Sequence, residues 1–431
     1  MKKLIVMLIL IFIIIMASTV LYAADRVSLG FLYGIDNQTH LVSRTNGAIN
    51  QVSPTWFDIS SKGDLLVSSD IDEEFIKTMK EMNVKITPFL SNHWSRSKGR
   101  AALKNSENLA EQIVNVIMKY DLDGVNVDIE NLTSKDKNDF SDFINILRDK
   151  LPKEKMLTIS VAANPNGIDT GWQGAYDYEK LGEYADYLFV MTYDEHSQGG
   201  ECGPVASIDF VENSIKYALE KVSKDKIVIG IPLYGRFWGG DGNRDGEAVV
   251  IGDVPRIMSK FNGTAIYDEE SAQTCLKFNI EENQPSTKVN GVQLEAGEYT
   301  IWYENKESII AKLELVNKYD LLGAGVWALG QEKVDVWEYY YAELNKIPYE
   351  REKKLVKEDI YLSFFEEQRE IKQKLEIAML SVEKINNLES KKIIFYQNTK
   401  EDEVFRREKM LYIPMFGKLL LKEDEKRKIK C

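Results

Sequence analysis

Eight strand-like runs alternate with amphipathic stretches along this chain, and that alternation limits its possible folds more than any other feature. The runs are Val27–Tyr33, Val52–Ile59, Val84–Leu90, Gly124–Glu130, Met156–Ala163, Tyr187–Asp194, Ile227–Tyr234 and Gly325–Leu329. Between them, stretches such as Ile71–Met82, Ser106–Tyr120 and Lys135–Lys150 repeat apolar residues at three- and four-residue intervals, the period of a helix with one buried face. Strand then helix, repeated, predicts an α/β protein of the (β/α)8 TIM-barrel type over residues 25–346. A barrel takes about 250 residues. The chain has 431, so additions are expected. One falls between the seventh run and a helix beginning near Lys306, where about seventy residues intervene. A plain loop of that length is rare, and a small α+β insertion over 237–303 is expected instead.

One strand is chemically odd. Leu122-Asp123-Gly124-Val125-Asn126-Val127-Asp128-Ile129-Glu130-Asn131 opens on a turn signal and then alternates apolar and polar residues. Alternate residues of a strand share a face, which groups Asn126, Asp128 and Glu130 against Val125, Val127 and Ile129. Two carboxylates and an amide inside an apolar strand are costly to bury unless they face a polar cavity. Crowding drives the two carboxyl pKa values apart, so one side chain stays protonated while the other ionises. A barrel sets its site at the C-terminal ends of its strands, where Glu130 and Asp194 both fall.

This stretch resembles the signature of glycoside hydrolase family 18, the chitinase-like fold, which reads Asp-Gly-x-Asp-x-Asp-x-Glu. The match is Asp123 to Glu130, with Asn126 standing where the family usually has Asp. Met191-Thr192-Tyr193-Asp194 resembles the family's Met-x-Tyr-Asp strand end. Gly230-Ile231-Pro232-Leu233-Tyr234-Gly235-Arg236 is similar to its seventh strand, and Gly323-Ala324-Gly325-Val326-Trp327 to its eighth. The matches span about residues 27 to 345 and come in the family's order. The branch of cell-wall and spore-cortex lytic glucosaminidases shares the Asn and also resembles Ser53-Pro54-Thr55-Trp56-Phe57.

The resemblance implies roles. Glu130 would protonate the glycosidic oxygen and then activate water. The nucleophile would be the substrate's own 2-acetamido oxygen, the exception to the two-carboxylate rule. Asp128 would accept the acetamido N–H, and Tyr193 would donate to the acetamido oxygen. Asn126 would tune Asp128, which loses a neighbouring negative charge and so ionises more readily. Trp327 would floor the sugar site, with Asp194, Met191, Tyr33, Trp56, Tyr234 and Arg236 as further groove residues. Asp194 either meets the sugar or only braces Tyr193, and His196 beside it is read as structural or solvated. An N-acetylated polysaccharide would be the partner, either cell-wall glycan or chitin. A non-catalytic sugar-binding protein is the alternative of another class, and the presence of Glu130 argues against it.

The rest of the chain bounds the surroundings. A net charge of −13 argues against a nucleic-acid partner. The three cysteines (Cys202, Cys275, Cys431) and three scattered histidines (His40, His93, His196) suggest no metal site, and no cofactor is expected. Met1-Lys2-Lys3, an apolar run and Ala23-Ala24 read as a secretory signal over residues 1–24, or as an uncleaved anchor that would tie the chain to a membrane. Either places the protein outside the cytoplasm, secreted or in the cell wall or spore envelope. Residues 347–431 are rich in Lys and Glu, with Ile371, Leu375, Ala378, Val382 and Ile385 in a heptad-like stripe, so a charged helical tail is expected.

Overall fold

A computed structural model describes residues 26–347, apart from 35–36, 69–70, 241–243 and 285–286. The signal-like segment and the heptad-like stripe both lie outside the described residues. Ten strands come first: β1 (Val27–Leu32), β2 (Gln51–Pro54), β3 (Phe57–Ile59), β4 (Leu65–Val67), β5 (Lys85–Ile86), β6 (Phe89–Ser91), β7 (Gly124–Asp128), β8 (Met156–Ala162), β9 (Tyr187–Met191) and β10 (Ile227–Pro232). The chain then builds β11 (Tyr234–Gly239), β12 (Arg244–Val250), β13 (Thr264–Asp268), β14 (Gln273–Ile280), β15 (Thr287–Val289), β16 (Val292–Leu294) and β17 (Gly297–Tyr303) before returning with β18 (Gly323–Trp327).

The main sheet has eleven strands in the order β4-β3-β6-β7-β8-β9-β10-β18-β1-β2-β5, parallel except at β3–β4. With helices between the strands, this is a TIM-barrel-like α/β fold. Two of the eight runs are each broken into two strands, and the breaks have local causes. At the first, the Trp56 N–H turns back to the Pro54 carbonyl at 2.9 Å. At the second, Pro88 has no N–H to give a ladder. β2 pairs with β5 and β3 with β6, so the two broken runs neighbour each other above and below their breaks.

Two apolar layers flank the main sheet. Val125, Val127 and Ile129 join the larger one, which includes Leu109, Ile113 and Ile117 from the Ser106–Tyr120 helix. Leu29, Phe31, Phe89, Phe189 and Met191 form the smaller. The Asp123-Gly124 pair, which reads as a turn signal, serves strand pairing instead. The Asp123 carboxylate accepts the Ile86 N–H at 2.8 Å, and a Cβ on Gly124 would lie 2.0 Å from the Met156 carbonyl oxygen. Only glycine lets β7 and β8 approach there.

Between β10 and the Lys306–Lys318 helix, β12-β11-β17-β14-β13 form a separate antiparallel sheet around a core of Phe237, Leu276, Phe278, Tyr299 and Ile301. A buried ion pair ties it to the barrel. Lys312 and Glu304, both fully buried, meet at 2.9 Å, and Gln273 donates to the same carboxylate at 2.6 Å. The Gln273 oxygen accepts the Val205 N–H at 2.7 Å, and the Val205 carbonyl accepts the Glu195 N–H at 2.9 Å. This chain of contacts ends beside Asp194. Cys202 and Cys275 are free thiols.

Candidate active site

A cavity of about 290 Å³ is lined by Phe31, Trp94, Asp128, Glu130, Ser160, Met191, Tyr193, Asp194, Tyr234, Arg236, Ala248, Trp327 and Gln331. Asp128 ends β7 and Glu130 follows two residues later, so the strand's alternation aims both into it. The Glu130 backbone is held on both sides by one buried amide. Its N–H donates to Asn92 Oδ1 at 2.9 Å, and Asn92 Nδ2 donates to its carbonyl at 2.8 Å.

Burial raises the Asp128 carboxyl to about 7, with the neighbouring Ser160 hydroxyl opposing the shift. Burial also lifts Glu130 well above the ordinary carboxyl range, and the charges of Asp128 and then Asp194 add to it. Glu130 is thereby kept protonated through the ordinary carboxyl range, with a proton it can give. Burial, followed by the charges of Asp128, Glu130 and Asp194, keeps the Tyr193 hydroxyl protonated, a donor rather than a phenolate.

Asp194 stands at φ 60° and is gripped from the second sheet. Tyr234 donates its hydroxyl to Oδ1 at 2.6 Å, while Arg236 Nε and Nη2 bind Oδ1 and Oδ2, both at 2.8 Å. Trp327 packs on Phe31 and Phe89 at 5.2 and 5.8 Å between ring centres and lines the cavity.

Eight of the eleven residues expected from sequence thus line one cavity: Asp128, Glu130, Met191, Tyr193, Asp194, Tyr234, Arg236 and Trp327. Three do not. Trp56 is 1% exposed and packs edge-on to Phe75, because the broken second run turns its ring into the helix layer. Tyr33 is 59% exposed and only flanks Trp327, with 5.7 Å between rings. Asn126 shares the strand face with Asp128, as alternation requires, but sits below the cavity and is fully buried. Its Nδ2 donates to Thr158 Oγ1 at 2.9 Å, and Ser160 Oγ donates to its Oδ1 at 2.8 Å. The polar row is therefore layered, with Asn126 as its floor. His196 is structural, bonded through Nδ1 to the Pro204 carbonyl at 2.9 Å.

Sequence reading missed Asn92, Trp94 and Ser160. Asn92 and Trp94 follow the strand end at Ser91, so the barrel rule itself flags them. Nothing in the sequence distinguishes Ser160 from other strand serines.

The sequence profile of the glycosyl hydrolases family 18 matches residues 39–332. The chain belongs to glycosyl hydrolase family 18. Among relatives, it is 24% identical to the Uncharacterized glycosylase YvbX of Bacillus subtilis over 329 residues, covering 73% of this chain and 90% of that one. It is 29% identical over 272 residues to the Cortical fragment-lytic enzyme of the same organism, covering 61% and 60%. The crystal structure of a chitinase from Chromobacterium violaceum superposes with a TM-score of 0.66 at 25% identity, over 75% of this chain and all of that one. As a family 18 member, the protein is a glycosidase.

One glycine makes this site possible. A Cβ on Gly230 would sit 2.6 Å from Tyr193 Cε1 and 2.9 Å from Phe189 Cζ. Gly230→Ala should push the Tyr193 ring aside and lower kcat roughly 100-fold, the scale of an ångström's misplacement. Overpacking should also destabilise the fold by about 1–3 kcal/mol. Kinetics and thermal melts on the same sample test both. An unchanged kcat would mean that Gly230 does not set the position of Tyr193.

Proposed function

We propose that this glycosidase cleaves β-1,4 bonds of N-acetylglucosamine-containing glycans with net retention, acting outside the cytoplasm on bacterial cell-wall glycan such as spore cortex. One observation carries the reading. Asp128 Oδ1 is buried at the cavity wall with no hydrogen-bond partner, beside a carboxyl that is held protonated. A buried acceptor without a donor is costly, and a substrate acetamido N–H would supply the donor. Glu130 would give its proton to the leaving oxygen while the acetamido oxygen attacks C1 and forms an oxazolinium ring. Asp128 would hold the N–H, and Tyr193 would align the attacking oxygen. Glu130, now a carboxylate, would then take a proton from water as that water opens the ring, leaving C1 with its original configuration. Trp327 would support the sugar from below, and β11 and β12, through Arg236 and Ala248, would form one raised wall of the groove.

Similarity to the cortical fragment-lytic enzyme supports wall glycan as the substrate, and the signal-like segment at residues 1–24 supports export. Similarity to the chitinase supports a second reading, cleavage of N-acetylglucosamine polymers. Parallel digests of purified peptidoglycan and colloidal chitin, with products identified by mass spectrometry, test both. Muropeptides ending in reducing N-acetylglucosamine are expected. Chitobiose alone would favour the second reading, and no product from either glycan would refute both.

A further inference from the structure

The Arg96–Lys104 helix lies against the catalytic end of the sheet. A Cβ on its Gly99 would lie 3.1 Å from Asn92 Nδ2 and Leu132 Cδ2 and 3.2 Å from Ile129 Cγ2. The helix therefore packs closely on the residues that follow β6 and β7. It begins two residues after Trp94, which lines the cavity. Arg96 reaches back to the residue after the acid, with Nε and Nη2 each donating to Asn131 at 2.7 Å, through its carbonyl and side-chain oxygens.

Its outward face is cationic. Arg96, Arg100 and Lys104 recur every four residues and so share that face, where they line an exposed hollow with Ser97 and Ala101. Arg100 is neutralised by Asp136, at 2.8 and 3.0 Å. Arg96 and Lys104 have no carboxylate partner among the described residues. They stand eight residues, hence about 12 Å, apart along the helix. Two cations without a carboxylate partner, on a helix that begins two residues after a cavity residue, are notable in a chain of net charge −13, whose overall field repels acidic polymers.

We propose that this face binds acidic groups of the glycan strand held in the cavity, and that Arg96 and Lys104 thereby select a carboxylate-bearing glycan over a neutral one. The proposal rests on the glycan reading above. A strand leaving the cavity past Trp94 would run over this helix, where spaced carboxylates would meet the two side chains. A neutral polymer of N-acetylglucosamine has nothing to offer them.

The test measures binding without turnover, in a Glu130→Gln background, by calorimetry. The two probes are a hexasaccharide of N-acetylglucosamine and one of the same length alternating N-acetylglucosamine with N-acetylmuramic acid, whose lactyl groups carry carboxylates. Lys104→Gln should weaken Kd for the acidic probe roughly three- to fivefold, and Arg96→Gln with Lys104→Gln about tenfold, as expected for solvent-exposed charge pairs. Kd for the neutral probe should not change. Added salt should weaken the acidic probe's binding to the parent and have little effect on the double variant. Equal losses on both probes, or no loss on either, would overturn the proposal. Among the described residues the Lys104 side chain makes no hydrogen bond or ion pair, so the single variant separates charge from disturbance at Asn131. Incubating the wild-type protein with the same two probes decides the glycan reading separately: cleavage of neither sinks that reading, while the Kd comparison still decides this one.

Discussion

Glu130→Gln should lower kcat at least about 100- to 1000-fold while the protein still folds and binds oligosaccharide, because the amide removes the proton that the proposed mechanism draws from Glu130. The cavity around Glu130 loses one ionisable proton and almost no volume, and the two Asn92 bonds hold backbone, not side chain. The pH profile gives the sharper check. The folded-state pKa of Glu130 is raised, so the acid stays protonated through the ordinary carboxyl range and is lost as pH rises through its shifted value. Wild-type activity should therefore fall on the alkaline side at a pH well above that range. The residual activity of the variant should lack that limb. Near-normal turnover, or an unchanged alkaline limb, would remove Glu130 from the chemistry.

Lys312→Met should be the most destabilising of the substitutions considered, by about 3–5 kcal/mol, because it leaves the Glu304 carboxylate buried without its cation. Both partners are fully buried, so solvent cannot take over for either. Replacing the pair together, Lys312→Met with Glu304→Leu, should recover most of the loss, since well-packed apolar residues often equal a buried ion pair. Denaturant titrations of the two singles and the double give the coupling energy. If Lys312→Met cost under about 1 kcal/mol, the pair would not be holding the second sheet to the barrel.

The sequence made the general fold and the centre of the site legible for the same reason. Periodicity and strand ends are local signals, and the Ser106–Tyr120 helix and the aim of Asp128 and Glu130 follow from them directly. What was not legible depends on contacts between distant segments. Trp56 reads as a groove aromatic until the break after Pro54 turns its ring outward. Asn126 reads as a cavity residue because alternation assigns a face but not a depth, and depth is set by Thr158 and Ser160, over thirty residues away. The position of Asn92, just past a strand end, is legible, but its task of holding the Glu130 backbone is not, because that depends on a residue thirty-eight positions away.

Asp194 belongs to the barrel, yet among the described residues every hydrogen bond to its carboxylate comes from β11 of the second sheet. Its charge is one of those that hold the proton on Glu130. The wall of the cavity is thus part of the electrical circuit of the acid, not a replaceable panel. A chimera that kept the barrel and took this wall from another protein would change the strength of the acid without altering a single barrel residue. Only a graft carrying counterparts of Tyr234 and Arg236 would leave it as it was.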